Sequence, residues 1–456
     1  MKLSFLLNGE PQNITDVDPT TSVLDWLRTE QCLSGTKEGC NEGDCGACTV
    51  ILIDTHGARA VNACILYLPQ IANLAVRTVE GIGTPMEPHP AQTSMVNHHG
   101  SQCGFCTPGF ITSMVAAQIN NDLDHDVTLA GNLCRCTGYA PIFRAAKSCV
   151  SVATPEWFKS DQKKLEQLPR SNDPAVPKSS DELADLLITT PETTLIAGAT
   201  DVGLWINKEQ REIHPLAFIH EINDMSHIVE HPNYWEFGAN VTIEQMRIWS
   251  VEQLPYLTPL LTRYASTQVR NSATLGGNIA NGSPIGDTPP ALIANGAKLV
   301  LRHGSNRRTI ELQDFFIEYG HQDLRLGEFI ETILIDKAQS DLRCYKISKR
   351  FDQDISAVCG AFNLKIADGT IASARIAFGG MAGIPKRAVH VEQALTGKNW
   401  NIDTVNSTYD QWSLDYQPLT DLRASAEYRL SVARNLLVRY YHDLNGDYTS
   451  LQEVSA

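Results

Sequence analysis

The chain has 456 residues, of which 43% are hydrophobic and 20% are charged, so it is long enough for about three globular domains. Its formal net charge of −15 predicts no nucleic-acid partner, because nucleic-acid binding needs clustered Lys and Arg. Apolar runs such as 63–68 are far shorter than the ~20 residues of a membrane span, and the N-terminus has no signal-peptide pattern. We therefore predict a cytoplasmic protein without a membrane contact.

Cysteine placement is the most informative feature of the composition. Of the twelve cysteines, nine lie within the first 136 residues, and eight of those form tight groups. In a cytosolic chain, clustered cysteines more often bind metal or carry out redox chemistry than form disulfides. The other cysteines are predicted to be packing residues: Cys32, Cys149, Cys344 and Cys359.

In the first third of the chain, β-like runs give way to helical patterns. A first strand is predicted to end in the Asn8-Gly9 turn. Apolar spacing predicts a helix over 22–28, and the β-branched run 49–53 predicts a strand. Two later helices are predicted, over 109–119 and 141–150, each just after a pair of cysteines.

A polar, proline-punctuated segment, 155–178, predicts an interdomain linker. After it, we predict that Ser180 caps a helix over 181–188, with a strand at 194–197. These elements open an α+β region that extends over 179–343.

The last region, 344–456, is also predicted to be α+β. Asp368-Gly369 lies between two β-like runs and is typical of a two-residue hairpin turn. A terminal helix is predicted over 425–442.

The first four grouped cysteines have the plant-type [2Fe–2S] spacing, with four residues, then two, then a later cysteine: Cys40, Cys45, Cys48 and Cys64. Four thiolates must converge on two irons from one short loop. Gly43 and Gly46 permit the unusual dihedrals that this requires, and we expect their N–H groups to donate to the sulfurs. The alternatives are a loop of buried free cysteines and a zinc site, although zinc loops usually come as two separated pairs.

Four further cysteines form one CxxC pair and one CxC pair: Cys103, Cys106, Cys134 and Cys136. Taken alone, these pairs suit zinc, a redox dithiol or a second [2Fe–2S] cluster. Each pair precedes a predicted helix, whose N-terminus favours negative charge, and a neighbouring cluster would be an electron-exchange partner. We therefore predict a second cluster.

Two glycine-containing stretches are candidate cofactor loops. At 195–202 a strand leads into a glycine turn and then a helix, which suits a pyrophosphate. The stretch is not GxGxxG, and an ordinary strand–turn–helix is the alternative. The second stretch, 274–287, is rich in Gly, Asn and Ser, and Asp287 could accept hydrogen bonds from ribityl hydroxyls. Its alternative is a long surface loop.

The motifs CNEGDCGACTV, QCGFCTPG and NLCRCTGY, in this order, resemble the iron–sulfur part of the molybdenum hydroxylase (xanthine oxidase/dehydrogenase) family. The resemblance implies a β-grasp, ferredoxin-like [2Fe–2S] domain over 1–78 and a four-helix [2Fe–2S] domain over 79–154. It also implies that Gln102 contacts a molybdopterin cofactor. For Gln102 alone, a surface or capping role is the alternative.

The remainder resembles the FAD domain of the same family, in the fold shared with vanillyl-alcohol oxidase-type flavoproteins, with an α+β C-terminal domain over 344–456. The whole chain is thus predicted to be α+β multidomain. The resemblance implies a set of FAD-binding residues: Leu195, Ile196, Ala197, Gly198, Ala199, Thr200, Asp201, Val202, Tyr264, Thr274, Gly277, Asn278, Asp287 and Lys346. For Tyr264, core packing is the alternative. The loop 345–355 resembles the family's loop beside the isoalloxazine ring, which implies that Arg350 and Asp354 lie near NAD; a solvated loop is the alternative.

The chain stops at 456 without a molybdopterin domain, so it resembles the small iron–sulfur/FAD subunit of bacterial family members. This implies a separate molybdopterin-binding partner, in an (αβ)2 heterotetramer, that oxidises hypoxanthine and xanthine to urate. Electrons would pass through the second cluster, the first cluster and FAD to NAD+, and no catalytic residue is expected in this chain. The alternatives are a subunit of the same architecture that serves another N-heterocycle or an aldehyde, and a stand-alone redox carrier.

Overall fold

The computed structural model describes residues 1–149, 153–169, 173–337 and 341–447. Their helices and sheets confirm the predicted α+β multidomain fold class. Among these residues, no helix is both long and apolar enough to cross a membrane.

The N-terminal region is a five-stranded mixed sheet with a helix against one face. Its elements are β1 (Leu3–Leu7), β2 (Glu10–Ile14), α1 (Val23–Thr29), β3 (Thr49–Ile53), β4 (Ala58–Asn62) and β5 (Ala75–Arg77). The strand order is β2-β1-β5-β3-β4, and β1 pairs with β5 in parallel. The predicted turn at Asn8-Gly9 joins β1 to β2, and the hydroxyl of Ser22 caps α1. Phe5 and Trp26 meet edge to face in the core, which fixes α1 on the sheet. This is the β-grasp arrangement.

Four helices follow the sheet: α2 (Pro90–Asn97), α3 (Thr107–Ile119), α4 (His125–Thr128) and α5 (Ala140–Lys147). Helix α3 is buried over most of its length and packs on both β3 and α2. It begins two residues before the predicted start because Pro108 occupies its first turn. Helix α5 matches the prediction over 141–150 as far as Lys147, and Val150 lies outside the described residues.

The segment predicted as an interdomain linker contains a docked helix, α6 (Glu156–Leu165), which the sequence analysis did not predict. The carboxylate of Asp161, which is fully buried, accepts two hydrogen bonds from the Arg77 guanidinium at 2.6 and 2.7 Å. Trp157 packs against the same guanidinium and donates to the carbonyl of Ile82. Contacts along one face of this polar helix therefore hold α6 on the N-terminal sheet.

The next region contains a five-stranded antiparallel sheet, β11-β10-β14-β9-β8, and the short parallel pair β6-β7. Its elements are α7 (Ser180–Thr189), β6 (Thr194–Ile196), α8 (Val202–Asn207), β7 (Leu216–Phe218), β8 (Ile228–Glu230), β9 (Tyr234–Gly238), α9 (Ile243–Gln253), α10 (Thr258–Thr262), α11 (Thr267–Arg270), α12 (Leu275–Ala280), α13 (Thr288–Asn295), β10 (Lys298–His303), β11 (Asn306–Glu311), α14 (Leu312–Phe315), β12 (Phe316–Glu318), β13 (His321–Gln322) and β14 (Phe329–Asp336).

Two polar contacts hold the start of this region to its sheet. The cap of α7 is Ser179, whose hydroxyl accepts from the N–H of Glu182, so the prediction of Ser180 was wrong by one residue. The hydroxyl of Ser180 instead accepts from Arg302 on β10. Arg302 and Arg307 both donate to Glu331 on β14. These contacts place α7 against the sheet.

The C-terminal region is a four-stranded sheet, β15-β16-β17-β18, covered by helices. Its elements are β15 (Arg343–Ile347), β16 (Val358–Ala367), β17 (Thr370–Gly379), β18 (Lys386–Arg387), α15 (Val389–Leu395), α16 (Ile402–Ser407), α17 (Trp412–Asp415) and α18 (Ala426–Leu444). The predicted hairpin is confirmed: Asp368 and Gly369 have φ of 49° and 72°, as a type I′ turn requires. The terminal helix predicted over 425–442 is α18, and Ser425 is its N-terminal cap.

Candidate cofactor-binding sites

The first four grouped cysteines converge in the loop between α1 and β3 and in the turn after β4. Cys40 hydrogen-bonds with the thiols of Cys45 and Cys64, which lowers the pKa of Cys40. Cys64 also contacts Cys48, and both of these are buried. The structure thus brings together the four thiols that the spacing predicts as ligands.

Backbone N–H groups point at the Cys40 sulfur, but they are not the predicted glycine donors. Asp44 and Cys45 donate to it, with N···Sγ distances of 3.4 and 3.3 Å. Gly43 and Gly46 instead supply the conformation, with φ of 78° and 67°. Donors aimed at sulfur favour a thiolate, the form that binds iron.

The second four cysteines form two contacting pairs. The sulfurs of Cys103 and Cys136 are 3.4 Å apart and exposed. Cys106 and Cys134 are buried and share a thiol hydrogen bond, and burial raises the pKa of Cys106 to about 12. Each pair precedes a helix, as predicted: α3 begins directly after Cys106, and α5 begins at Ala140, four residues after Cys136.

Each group supplies the four thiols that a two-iron cluster requires. In the first group the thiols contact one another in series, Cys45 to Cys40 to Cys64 to Cys48. In the second group they form two contacting pairs. In a [2Fe–2S] cluster with four cysteine ligands, each iron takes two thiolates, so four thiols per group satisfy this donor set.

A cavity of about 890 Å³ lies between the glycine-containing turn at 198–201, which follows β6, and β15, the edge strand of the C-terminal sheet. This volume is in the upper part of the range for cofactor pockets. Most of the predicted FAD residues line it: Leu195, Ala197, Gly198, Ala199, Thr200, Asp201, Val202, Tyr264, Thr274, Gly277, Asn278, Asp287 and Lys346. Ile196 does not line it and is fully buried beside Tyr67 and Phe218.

The turn at 198–201 lines the cavity and has an unusual backbone. A Cβ on Gly198 would overlap the carbonyl of Ser272, so only glycine permits this approach. Ala199 adopts a left-handed φ of 56°, a strained conformation that clusters at ligand sites. Burial raises the pKa of Asp201, while hydrogen bonds with Trp205 and Asn281 act to lower it.

Beneath the cavity lies a buried ion pair. The Lys346 ammonium donates to Asp287 at 2.6 Å, and the hydroxyl of Ser356 donates to the other carboxylate oxygen at 2.5 Å. Both oxygens of Asp287 are thus engaged, although a carboxylate has further lone pairs for a ligand hydroxyl. Close by, Asn278 donates to the Tyr264 hydroxyl at 2.9 Å. The predicted polar residues therefore form one connected cavity wall.

The first cysteine loop and the loop 345–355 meet at this cavity. Glu42, Gly43 and Asp44 line it together with Asp354. Helix α8 leads from the cavity to the cluster loop, where Asn207 donates to the Cys64 carbonyl at 2.7 Å. The first cysteine group is thus adjacent to the candidate FAD site.

Two predicted residues lie outside the cavity. Arg350 is exposed and pairs with Asp354, its guanidinium 3.4 Å from that carboxylate. Gln102 is exposed beside Cys103. The sequence also missed cavity residues: Ser356 and the segment 324–330 line the pocket. In that segment Gly327, which has a φ of 76°, is the local sequence feature that could have indicated a turn.

Four family models match the chain in series. They are described as a 2Fe-2S iron-sulfur cluster binding domain (5–68), a [2Fe-2S] binding domain (78–147), an FAD binding domain in molybdopterin dehydrogenase (172–337) and a CO dehydrogenase flavoprotein C-terminal domain (343–444). The chain therefore carries two [2Fe–2S] domains and an FAD domain.

Relatives and solved structures agree with this order of domains. Xanthine dehydrogenase of Emericella nidulans is 30% identical over 97% of this chain and 38% of that protein, and nicotinate hydroxylase hnxS of the same organism is 27% identical over 97% and 41%. The chain spans about two fifths of the length of these relatives. The structure is similar to carbon monoxide dehydrogenase from Hydrogenophaga pseudoflava, with a TM-score of 0.55, 27% identity, and coverage of 58% of this chain and 93% of that one.

Two [2Fe–2S] domains followed by a flavin domain define an iron–sulfur flavoprotein. The chain belongs to the molybdenum hydroxylase family and carries its iron–sulfur and FAD domains.

Proposed function

We propose that this chain accepts electrons from a molybdopterin-binding partner and delivers them to NAD+ through two [2Fe–2S] clusters and FAD. The observation that carries the proposal is the order of the sites. The Cys40 loop lines the FAD cavity, whereas Cys103 and Cys136 are exposed. FAD, when bound, exchanges single electrons with a cluster and an electron pair with NAD+.

The chain's own residues would position these groups. Asn207 and the Lys208 ammonium donate to the carbonyls of Cys64 and Cys40, at 2.7 and 2.6 Å, and tie α8 to the first cluster loop. Because α8 starts directly after the turn at 198–201, the same helix would hold the first cluster loop close to the flavin. Short separation between the two groups favours electron transfer.

The surface around the second cysteine group supports a partner subunit. Cys103 and Cys136 are exposed there, and Phe105 and Leu133 keep 47% and 48% of their surface accessible. Gln102 stands beside them. Exposed apolar side chains at a redox site suit a protein interface. We propose a molybdopterin-binding subunit at this surface, an (αβ)2 assembly, and a cytoplasmic location, where thiols stay reduced.

For the substrate, we propose that the partner oxidises hypoxanthine and xanthine to urate. Similarity to xanthine dehydrogenase over 97% of the chain supports this. The second candidate is another molybdenum hydroxylase of the same architecture. It is supported by the nicotinate hydroxylase relative and by the structural likeness to carbon monoxide dehydrogenase.

The test separates the two half-reactions. The purified chain carrying its cofactors should pass electrons from NADH to an artificial acceptor dye without oxidising xanthine. Addition of the molybdopterin subunit should restore xanthine-dependent reduction of NAD+. Turnover of nicotinate or an aldehyde in place of xanthine would favour the second candidate. Absence of NADH-to-dye activity in a chain with full FAD would contradict NAD+ as acceptor.

The exposed Arg350 offers a sharper test of the NAD position. Arg350→Ala should slow NADH-to-dye turnover while xanthine-to-dye turnover in the assembled complex stays largely intact, because dyes take electrons upstream. Lys349→Ala is the matched control, since Lys349 is an exposed cation of the same loop that donates to the Leu422 carbonyl, whereas Arg350 pairs with Asp354. An equal fall of both activities in Arg350→Ala would refute the assignment.

A further inference from the structure

A buried glutamine joins the flavin region to both iron–sulfur regions. Gln268 lies on α11 and is only 1% exposed. Its Nε2 donates to Asn132 Oδ1 and to Ser113 Oγ, each at 3.1 Å, and approaches Thr49 Oγ1 at 3.4 Å. Ser113 is on α3 and Thr49 begins β3. One side chain from the flavin region therefore reaches the seam between the two cluster domains.

The groups that Gln268 holds belong to the two cluster loops. Asn132, two residues before Cys134, donates to the Gly46 carbonyl at 3.0 Å. The next residue, Leu133, donates its N–H to the Cys45 carbonyl at 2.9 Å. The backbone that carries one candidate ligand of the second cluster is thus hydrogen-bonded directly to the backbone of a candidate ligand of the first.

Three glycines make this contact as close as backbones permit. A Cβ on Gly46 would overlap the Gly131 carbonyl, and a Cβ on Gly109 would overlap the Gly46 carbonyl. A Cβ on Gly131 would overlap the Gln268 side-chain oxygen. With no side chain between the loops, their separation depends on the direct backbone bond from Leu133 to Cys45 and on the hydrogen bonds that Gln268 and Asn132 make around it.

We propose that Gln268 is a positioning residue that fixes the separation of the two clusters and so sets the rate of electron transfer between them. The inference rests on the proposed electron-transfer function. In the step concerned, one electron would pass from a cluster held by Cys103, Cys106, Cys134 and Cys136 to one held by Cys40, Cys45, Cys48 and Cys64, and no bond would form or break. The side-chain Oε1 of Gln268 is buried and has no hydrogen-bond partner among the described residues, so the residue acts through the bonds that its Nε2 donates.

The test uses Gln268→Met, which keeps the side-chain length and removes the amide donor, in the full chain with its cofactors. Two reduced clusters are paramagnetic, so the splitting of their EPR signals reports their separation. We expect the iron and FAD contents and both EPR signals to remain. The splitting should weaken, and reduction of the first cluster by the second should become severalfold slower.

Two further variants make the result decisive. Asn271→Leu is the matched control: Asn271 follows α11 and donates to the Ala60 carbonyl on β4, away from both cluster loops, so the splitting should not change. Ser113→Ala is a milder change that should act in the same direction as Gln268→Met and serves if that variant does not fold. Unchanged splitting in the folded variants, or an equal change in Asn271→Leu, would overturn the inference. Absence of two cluster signals in the unaltered chain would instead refute the proposed function.

Discussion

The ion pair between Asp287 and Lys346 should contribute strongly to both stability and FAD binding. The two groups are 2.6 Å apart, and their side chains are only 9% and 2% exposed. Asp287→Asn keeps the shape of the side chain but removes its charge, which leaves the Lys346 ammonium buried without a counterion. Removing one partner of a buried pair costs about 3–5 kcal/mol.

The expected loss in the free energy of unfolding can be compared with that of an exposed ion pair in the same region. Lys298 and Glu311 are 3.3 Å apart, with side chains 51% and 38% exposed, and such pairs contribute about 0–1 kcal/mol. Urea unfolding should therefore show a loss of about 3–5 kcal/mol in Asp287→Asn and almost none in Glu311→Gln. Because the pair lies under the cavity, gel filtration should also show loss of FAD from Asp287→Asn.

A double variant separates stability from cofactor binding. Asp287→Asn with Lys346→Met removes the stranded charge, so it should recover most of the lost stability while FAD binding stays weak. A loss in Asp287→Asn as small as that in Glu311→Gln, with FAD retained, would refute this account of the cavity.

Three further outcomes follow from the described contacts. Cys103→Ser should remove one EPR signal and Cys45→Ser the other, and loss of both signals in either variant would contradict two independent sites. Asp161→Ala, which strands the Arg77 guanidinium, should lower the free energy of unfolding by about 3–5 kcal/mol, and a loss below about 1 kcal/mol would show that α6 is not held by this pair. Burial acts to raise the pKa of Glu331, but hydrogen bonds from its two arginine partners lower it below its ordinary value of 4.5. A lowered folded-state pKa means that this stabilisation is present above pH 4.5 and is lost as the pH falls further. Glu331→Gln should therefore flatten the fall in stability below pH 4.5, measured by acid titration, and an unchanged profile would contradict the assignment.

Local signals were enough for much of the fold. The two residues Asp368 and Gly369 define a hairpin by themselves, because both adopt the positive φ of a type I′ turn. Ser425 likewise caps α18 through a contact three residues away. The cysteine spacing predicted which thiols come together, since a short loop limits where they can point.

The remainder depends on contacts between distant residues. Helix α6 is polar in sequence, and its docking depends on Asp161 meeting Arg77, 84 residues earlier. Lys346 and Asp287 are also far apart in sequence, and so are Gln268 and Asn132, which are joined by a hydrogen bond. Such pairs produce no periodic pattern or fixed spacing in the sequence, so only the folded structure reveals them.

The cofactor content of the purified chain tests the central claim most directly. Two [2Fe–2S] clusters and one flavin require about four irons and about one FAD per chain, with two separable EPR signals after reduction. That result would agree with the two groups of four cysteines and with the cavity between the turn after β6 and β15. Iron near two per chain, or zinc in place of iron in the second group, would contradict it.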